Sequence, residues 1–264
     1  MHSPPTLLLR PALIVASGLP LLTEPVEAFD PPEGEKEAEM QAAFERDLKD
    51  LNAAIEKNAN DVDLYSRRGD VHFFLANFDE AVADYDRMVE LEPKLDGSHW
   101  RRGIAYFYAE RYEDAAGQFE RYHSFDNVDR ENGIWRYLSQ VKAYGQEKAR
   151  EGLLKYEKDD REPFPDVYRL FAGTIAADDI LERIADADID ERNRQKRLFY
   201  AELYIGLELA VSDEPAEARK HLALAAENSW PEPAGYGPRY MWHVARLHRD
   251  LIDAALQNLT PADE

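Results

Sequence analysis

The residues of this chain that could carry chemistry do not combine into a catalytic set. His243 and His248 are five residues apart. On a helix their side chains diverge by about 140° and do not readily share a metal ion. Asp186, Asp188 and Asp190 alternate as the first ligands of a calcium loop do, but the sixth position is Glu191 rather than glycine and the twelfth is Arg197 rather than glutamate. The sharp turn and the bidentate ligand of such a loop are therefore missing. There is no cysteine, so thiolate catalysis, disulfides and cysteine-ligated metals drop out together. The sequence holds no Gly-x-Ser-x-Gly elbow, phosphate-binding glycine loop or dinucleotide fingerprint. The acidic pairs Asp159-Asp160 and Asp178-Asp179 fall at expected turns, where helix capping accounts for them. The reading is a non-enzymatic protein with no cofactor and no metal.

What recurs instead is a set of basic, small and aromatic residues. Arg67-Arg68-Gly69 returns as Arg101-Arg102-Gly103, 34 residues on, and Phe78, Ala81 and Tyr85 return as Tyr112, Ala115 and Phe119. A 34-residue period with those phases is the signature of a tetratricopeptide helix-turn-helix repeat. Such units stack into a solenoid that binds other proteins along its concave face. The expected fold is all-α: a right-handed superhelical solenoid of antiparallel helix pairs, closed by a carboxy-terminal capping helix.

In repeats of that type, positions two, five, nine, twelve and thirteen of each first helix face the concave side. Counting from Val62, Asp96 and Arg130 places Asp63, Asp70, Phe73, Trp100, Ile104, Phe107, Tyr108 and Leu138 in a groove with aromatic anchors and acidic edges. Aromatic side chains make strong protein-binding contacts because they bury much area at little entropic cost. Phe73, Phe107 and Tyr108 could equally pack against the neighbouring repeat. The arginine pairs could grip a partner's carboxylate, although such arginines more often neutralise nearby Asp and Glu. The basic run Arg192, Arg194, Lys196 and Arg197 could receive an acidic partner or a second copy of the chain, or form a solvated helix face.

The elements that must position these residues follow from hydrophobic spacing. Residues 1–28 read as an export signal: Arg10, the apolar stretch Pro11 to Leu22, and a small-residue cleavage site at Val26-Glu27-Ala28. Residues 29–38 read as a linker and 39–258 as the solenoid, with a tail at 259–264. The first helix is striped by Phe44, Leu48, Leu51 and Ile55. Full repeats span about 61–93 and 95–127, and divergent ones about 130–160 and 191–230. In the third repeat Tyr137 stands where glycine is expected, which calls for a wider crossing. Short helices are expected at Val167 to Ala172 and Ala177 to Ala185, parted by Gly173, with Thr174 and Asp178 as caps. A closing helix from Arg239 to Leu256 would turn Trp242, Ala245 and Leu251 inward.

The formal charge is −21, from 53 acidic and 32 basic side chains. That sign repels phosphate backbones, so no nucleic acid is expected, and a basic or mixed-charge protein or peptide segment fits better. No apolar run approaches membrane-spanning length.

The chain also resembles a more specific group. Ser98-His99-Trp100-Arg101-Arg102-Gly103-Ile104-Ala105, Trp135-Arg136-Tyr137-Leu138, Phe171-Ala172-Gly173-Thr174-Ile175, Leu181-Glu182-Arg183 and Phe199-Tyr200 occur in an order similar to that of NlpI-type tetratricopeptide proteins of bacterial envelopes. The resemblance covers roughly residues 61–250. It implies a dimerising, non-enzymatic adaptor that brings peptidoglycan endopeptidases to a tail-specific protease, in the periplasm or at the envelope. The chain departs from that family in lacking a lipidation cysteine and in having fewer amino-terminal helices. The alternative reading is a cytoplasmic assembly scaffold or holdase-like chaperone.

Overall fold

The computed structural model describes residues 33–156, 158 and 161–259. The expected export segment lies outside them, as do Asp159, Asp160 and residues 260–264. Among the described residues the protein is all-α, with no strand. It comprises α1 (Glu33–Lys57), α2 (Val62–Phe74), α3 (Phe78–Leu91), a 3-10 helix Pro93–Ser98, α4 (Trp100–Tyr108), α5 (Tyr112–Phe125), α6 (Arg130–Tyr144), α7 (Gln146–Glu151), α8 (Phe164–Phe171), α9 (Ala177–Asp186), α10 (Glu191–Val211), α11 (Pro215–Glu227) and α12 (Tyr236–Leu259). Most helices adjacent in the chain pack on one another, above all α10 with α11, α2 with α3, and α5 with α6. No helix among the described residues is long and apolar enough to cross a membrane.

The 34-residue period has a direct physical expression. In α2, Arg68 grips Asp84 of α3 through Nε (2.8 Å) and Nη2 (2.6 Å). One period on, Arg102 donates from Nε to Gln118 Oε1 at 2.9 Å. One further, Arg136 donates to the carbonyl of Gly152. Each arginine ties the first helix of a hairpin to the chain sixteen residues later. Arg101 pairs with Asp70 across successive hairpins at 2.7 Å. The structural role of these arginines is therefore the one observed.

The turns repeat as well. Ala76 and Glu110, one period apart, adopt left-handed backbone (φ 60° and 58°), and Asp213 does the same between α10 and α11 (φ 63°). In each turn the next N–H reaches back five residues: Asn77 to His72 O, Arg111 to Tyr106 O, Glu214 to Leu209 O. This is the 6→1 bond that satisfies orphan carbonyls at a helix end.

Close crossing explains the repeated glycines. A Cβ on Gly69 would lie 2.6 Å from the Tyr85 ring, and one on Gly103 would lie 2.6 Å from the Phe119 ring. Phe119 is fully buried and stacked against Trp135, so it has nowhere to go. Gly103→Val is expected to destabilise the fold by about 1–3 kcal/mol through overpacking. Gly97→Val, with nothing within 4 Å of its Cβ, should stay within about 0.5 kcal/mol. Urea denaturation of the two variants separates these outcomes.

Several boundaries differ from the sequence expectation. The linker 29–38 yields to helix from Glu33, since Glu35 and Glu37 at that end complement the helix dipole. Asp96 does not start a helix of the second repeat; Pro93–Ser98 is a 3-10 turn, and α4 begins at Trp100 with His99 as its cap, accepting from Arg102 N–H. The third hairpin is truncated. Its second helix has six residues, and Tyr137 stacks on Phe171 of α8 at 4.9 Å. Bulk in place of glycine thus brings in an irregular helix rather than merely widening the pair. At α9 the cap is Asp179, accepting from Ala176 N–H at 2.8 Å, and not Asp178; Thr174 instead bonds the Arg169 carbonyl. Leu251 is 43% exposed rather than inward.

Candidate protein-binding cleft

Most of the residues expected in the groove are covered by the chain itself. α12 leaves α11, to which Trp242 is tied by its Nε1 donating to Ala226 O at 2.7 Å, and runs back across α4 and α2 towards α1. Tyr240 stacks on Phe73 (5.0 Å) and meets the edge of Trp100 (4.9 Å). His243 stacks on Phe74 at 3.9 Å. The Tyr108 hydroxyl lies 3.0 Å from His248 Nδ1. Arg246 donates to the Phe74 carbonyl, and Arg249 pairs with Glu37 of α1. The closing helix is therefore a brace against α1, α2 and α4.

This corrects the expected groove. Phe73, Ile104, Phe107, Tyr108 and Leu138 are buried. Phe107 packs edge-on against Trp135, and Leu138 is core. Asp70 is no free acidic edge, since it accepts from Tyr85 (2.7 Å), Arg101 (2.7 Å) and Tyr236 (2.6 Å) and so joins α2, α3, α4 and α12. Asp63 is exposed at the start of α2, away from these aromatics, with its N–H on the Asp61 cap. The physical reason is apolar periodicity. Tyr236, Tyr240, Val244 and Leu247 recur on one face of α12, and an aromatic trough is the surface that buries them best.

Beside the first turn of α12 lies a cleft of about 400 Å³. Trp100 and Ile104 of α4, Trp135 of α6, Tyr200 of α10, Trp230 of the α11–α12 loop and Met241 of α12 line it, with Glu131, Arg161 and Lys196 supplying charge. Trp100 and Trp230 are only half-buried. Arg161 donates to Glu131 at 2.6 Å and lies over the Phe164 ring at 4.2 Å. The Tyr204 hydroxyl also bonds Glu131. Burial raises the Tyr200 and Tyr204 phenols, with Glu131 adding to the shift, so both stay neutral hydrogen-bonding groups at ordinary pH.

Of the eight residues expected in the groove, the cleft keeps Trp100 and Ile104. It adds Tyr200, Trp230, Arg161 and Lys196. Lys196 and Tyr200 are four apart, on one face of α10, and Trp230 opens a proline-rich loop; these signals could have been found in the sequence. Arg161 carried none. The basic run is divided by the fold. Arg194 caps α9 through the carbonyls of Ala185 (2.8 Å) and Ala187 (3.0 Å), while Lys196 faces the cleft. Among the described residues no cluster of three His, Asp or Glu side chains is placed to hold a metal. No protein-family model matches the chain, and no curated protein sequence matches it.

Proposed function

We propose that this protein is a tetratricopeptide-like adaptor that holds a segment of another polypeptide in the cleft between α4, α6, α10 and the start of α12, without chemistry of its own. The observation that carries the reading is the cleft itself. It is a concave, aromatic-walled space with half-exposed tryptophans, beside the first turn of α12. Half-buried tryptophans beside a few fixed charges are what protein-binding hot spots are made of. The repeated arginine ties, turns and glycine crossings support the repeat assignment. The acidic surface would steer a basic or mixed-charge partner towards the molecule.

The similarity to NlpI-type proteins supports an envelope setting after export, where the partner would be a peptidoglycan hydrolase, a protease, or both in turn. Fractionation of cells making the full-length chain tests the location: a mature protein beginning near Phe29 is expected in the envelope fraction, and an intact chain in the cytoplasm favours the scaffold alternative. For the cleft, Trp100→Ala is expected to weaken partner capture by about tenfold or more, the loss typical of a hot-spot aromatic. The helical circular dichroism should be unchanged, because Trp100 is only half-buried. Undiminished capture in a pull-down would refute the assignment.

A further inference from the structure

A second and larger hollow, of about 820 Å³, lies between α1, α2 and α12. Met40, Phe44 and Leu51 of α1, Val71 and Phe74 of α2 and Trp242 of α12 line it. Leu51 and Val71 are buried, but Met40, Phe44, Phe74 and Trp242 are only half-buried. α1 crosses α12 here without closing down on it. The two helices meet through Phe44 against His243 at 5.6 Å and through Glu37 with Arg249 at 3.0 Å. Four partly wetted apolar side chains around one hollow are the mark of a binding site, not of scattered surface residues.

The charges around the hollow set the polar end of an occupant. Arg67 of α2 and Arg239 of α12 are exposed and, among the described residues, their side chains make no hydrogen bond or ion pair. Asp47, Glu227 and Glu232 stand at the mouth as well, also exposed. His243, 5% exposed in the wall, shows which sign prevails inside. Burial depresses its imidazole first, and the charges that add to this are Arg246 and Arg239, with no carboxylate opposing them. The local field is therefore positive although the chain as a whole carries −21. Salt confines the repulsion from distant acidic groups to about 10 Å.

The walls favour a hydrocarbon chain over an extended peptide. The apolar side chains come from three helices whose backbone groups are paired within each helix. A peptide laid among them would bury N–H and C=O groups with no partner to meet, at a cost for each. An alkyl chain has none to satisfy. We infer that the hollow binds a single-chain anionic amphiphile of the fatty-acid kind. The alkyl chain lies against Met40, Phe44, Phe74 and Trp242, and the carboxylate meets the guanidinium groups of Arg67 and Arg239. This site is separate from the cleft, and its failure would leave the cleft reading as it stands.

Isothermal titration of the full-length protein tests this with dodecanoate and dodecyl maltoside, each below its micelle concentration. The chain is then constant and only the head group changes. Dodecanoate should bind one to one, and about tenfold or more tighter than the maltoside, the scale of a charge-assisted contact. Arg67→Gln with Arg239→Gln should bring dodecanoate to the level of the maltoside. Met40→Glu should weaken dodecanoate about tenfold with helical circular dichroism unchanged, because it sets a like charge against the chain's carboxylate and wets the wall. Equal affinity for the two heads would overturn the anion assignment. Tight dodecanoate binding that survives both the double arginine change and Met40→Glu would place the ligand elsewhere and overturn the inference. Binding of neither probe by natively helical protein would overturn the amphiphile site. If that protein also sediments as a dimer that Met40→Glu splits, the hollow belongs to a second copy of the chain.

Discussion

At pH 5 the folded protein is expected to be about 6 kcal/mol less stable than at pH 8, because two buried histidines and one half-buried one stay neutral in the fold. His99 is held down to about 3 by burial and then by Arg101 and Arg102. His243 is held to about 3 by burial and then by Arg246 and Arg239. His248 is held to about 4 by burial and then by Lys142. In the unfolded chain each titrates near its ordinary value of about 6.5. Between about pH 6.5 and 4 the unfolded state therefore binds more protons, so stability falls as pH falls, by about 2 kcal/mol per histidine at pH 5. Above about pH 6.5 both states are neutral and these groups contribute no slope.

Geometry agrees with the sign. His99 Nδ1 accepts the Arg102 N–H that caps α4, at 3.2 Å, and a proton there removes the acceptor. His243 is stacked between Phe74 and the edge of Phe44, with no carboxylate partner. Glu208 acts the other way: burial raises its carboxyl, so it regains some stability only at the acid end. Urea midpoints measured from pH 8 to pH 5 give the slope directly. A domain of ordinary stability, about 5–15 kcal/mol, should come close to unfolding at the lower end. His243→Phe, which keeps a ring in the stack, should remove about one third of the slope. A flat profile would mean that these rings are solvated and that α12 does not lie in the trough.

Tyr240→Ala should cost about 3–5 kcal/mol, the usual loss for emptying a fully buried aromatic site. Tyr240 is 1% exposed and touches Phe73, Phe74, Trp100 and Tyr236. Its ring is the main apolar link between the last helix and the first hairpins. Tyr240→Phe keeps that ring and should be within about 0.5 kcal/mol of neutral or slightly stabilising, because the buried hydroxyl has no hydrogen-bond partner to lose. Chemical denaturation measures both. Limited proteolysis adds a local reading: in Tyr240→Ala the loop at 228–235 should be cut faster than in the parent, because α12 detaches more often. A loss below about 1 kcal/mol would show that α12 rests on the trough without bracing it.

Much of this architecture is written in local residue types. The arginine and glycine copies at 69 and 103, the aromatics at 85 and 119 and the breaks near 76 and 110 depend on contacts sixteen residues apart or on single turns. Such contacts repeat with the sequence, and an α-hairpin closes them with little loop entropy. The same reasoning failed at Asp96, because nothing in Pro93–Ser98 distinguishes a 3-10 turn from a first helical turn. It failed at Tyr137, because the partner that accommodates its ring, Phe171, lies in a helix outside the period.

The groove misled for a different reason. Repeat phase places a side chain on the concave face, but whether solvent, a partner or a distant part of the chain meets it is not a local property. α12 shows an aromatic stripe in the sequence and Phe73, Trp100 and Tyr108 show another; neither stripe names its counterpart more than a hundred residues away. The sequence by itself determined an all-α chain of paired helices with an acidic surface, because periodicity and charge act over a few residues. Only the tertiary structure decided that α12 fills the trough and that Trp135, Lys196 and Trp230 share the remaining cleft, because long-range packing selects among many apolar faces by shape and buried area.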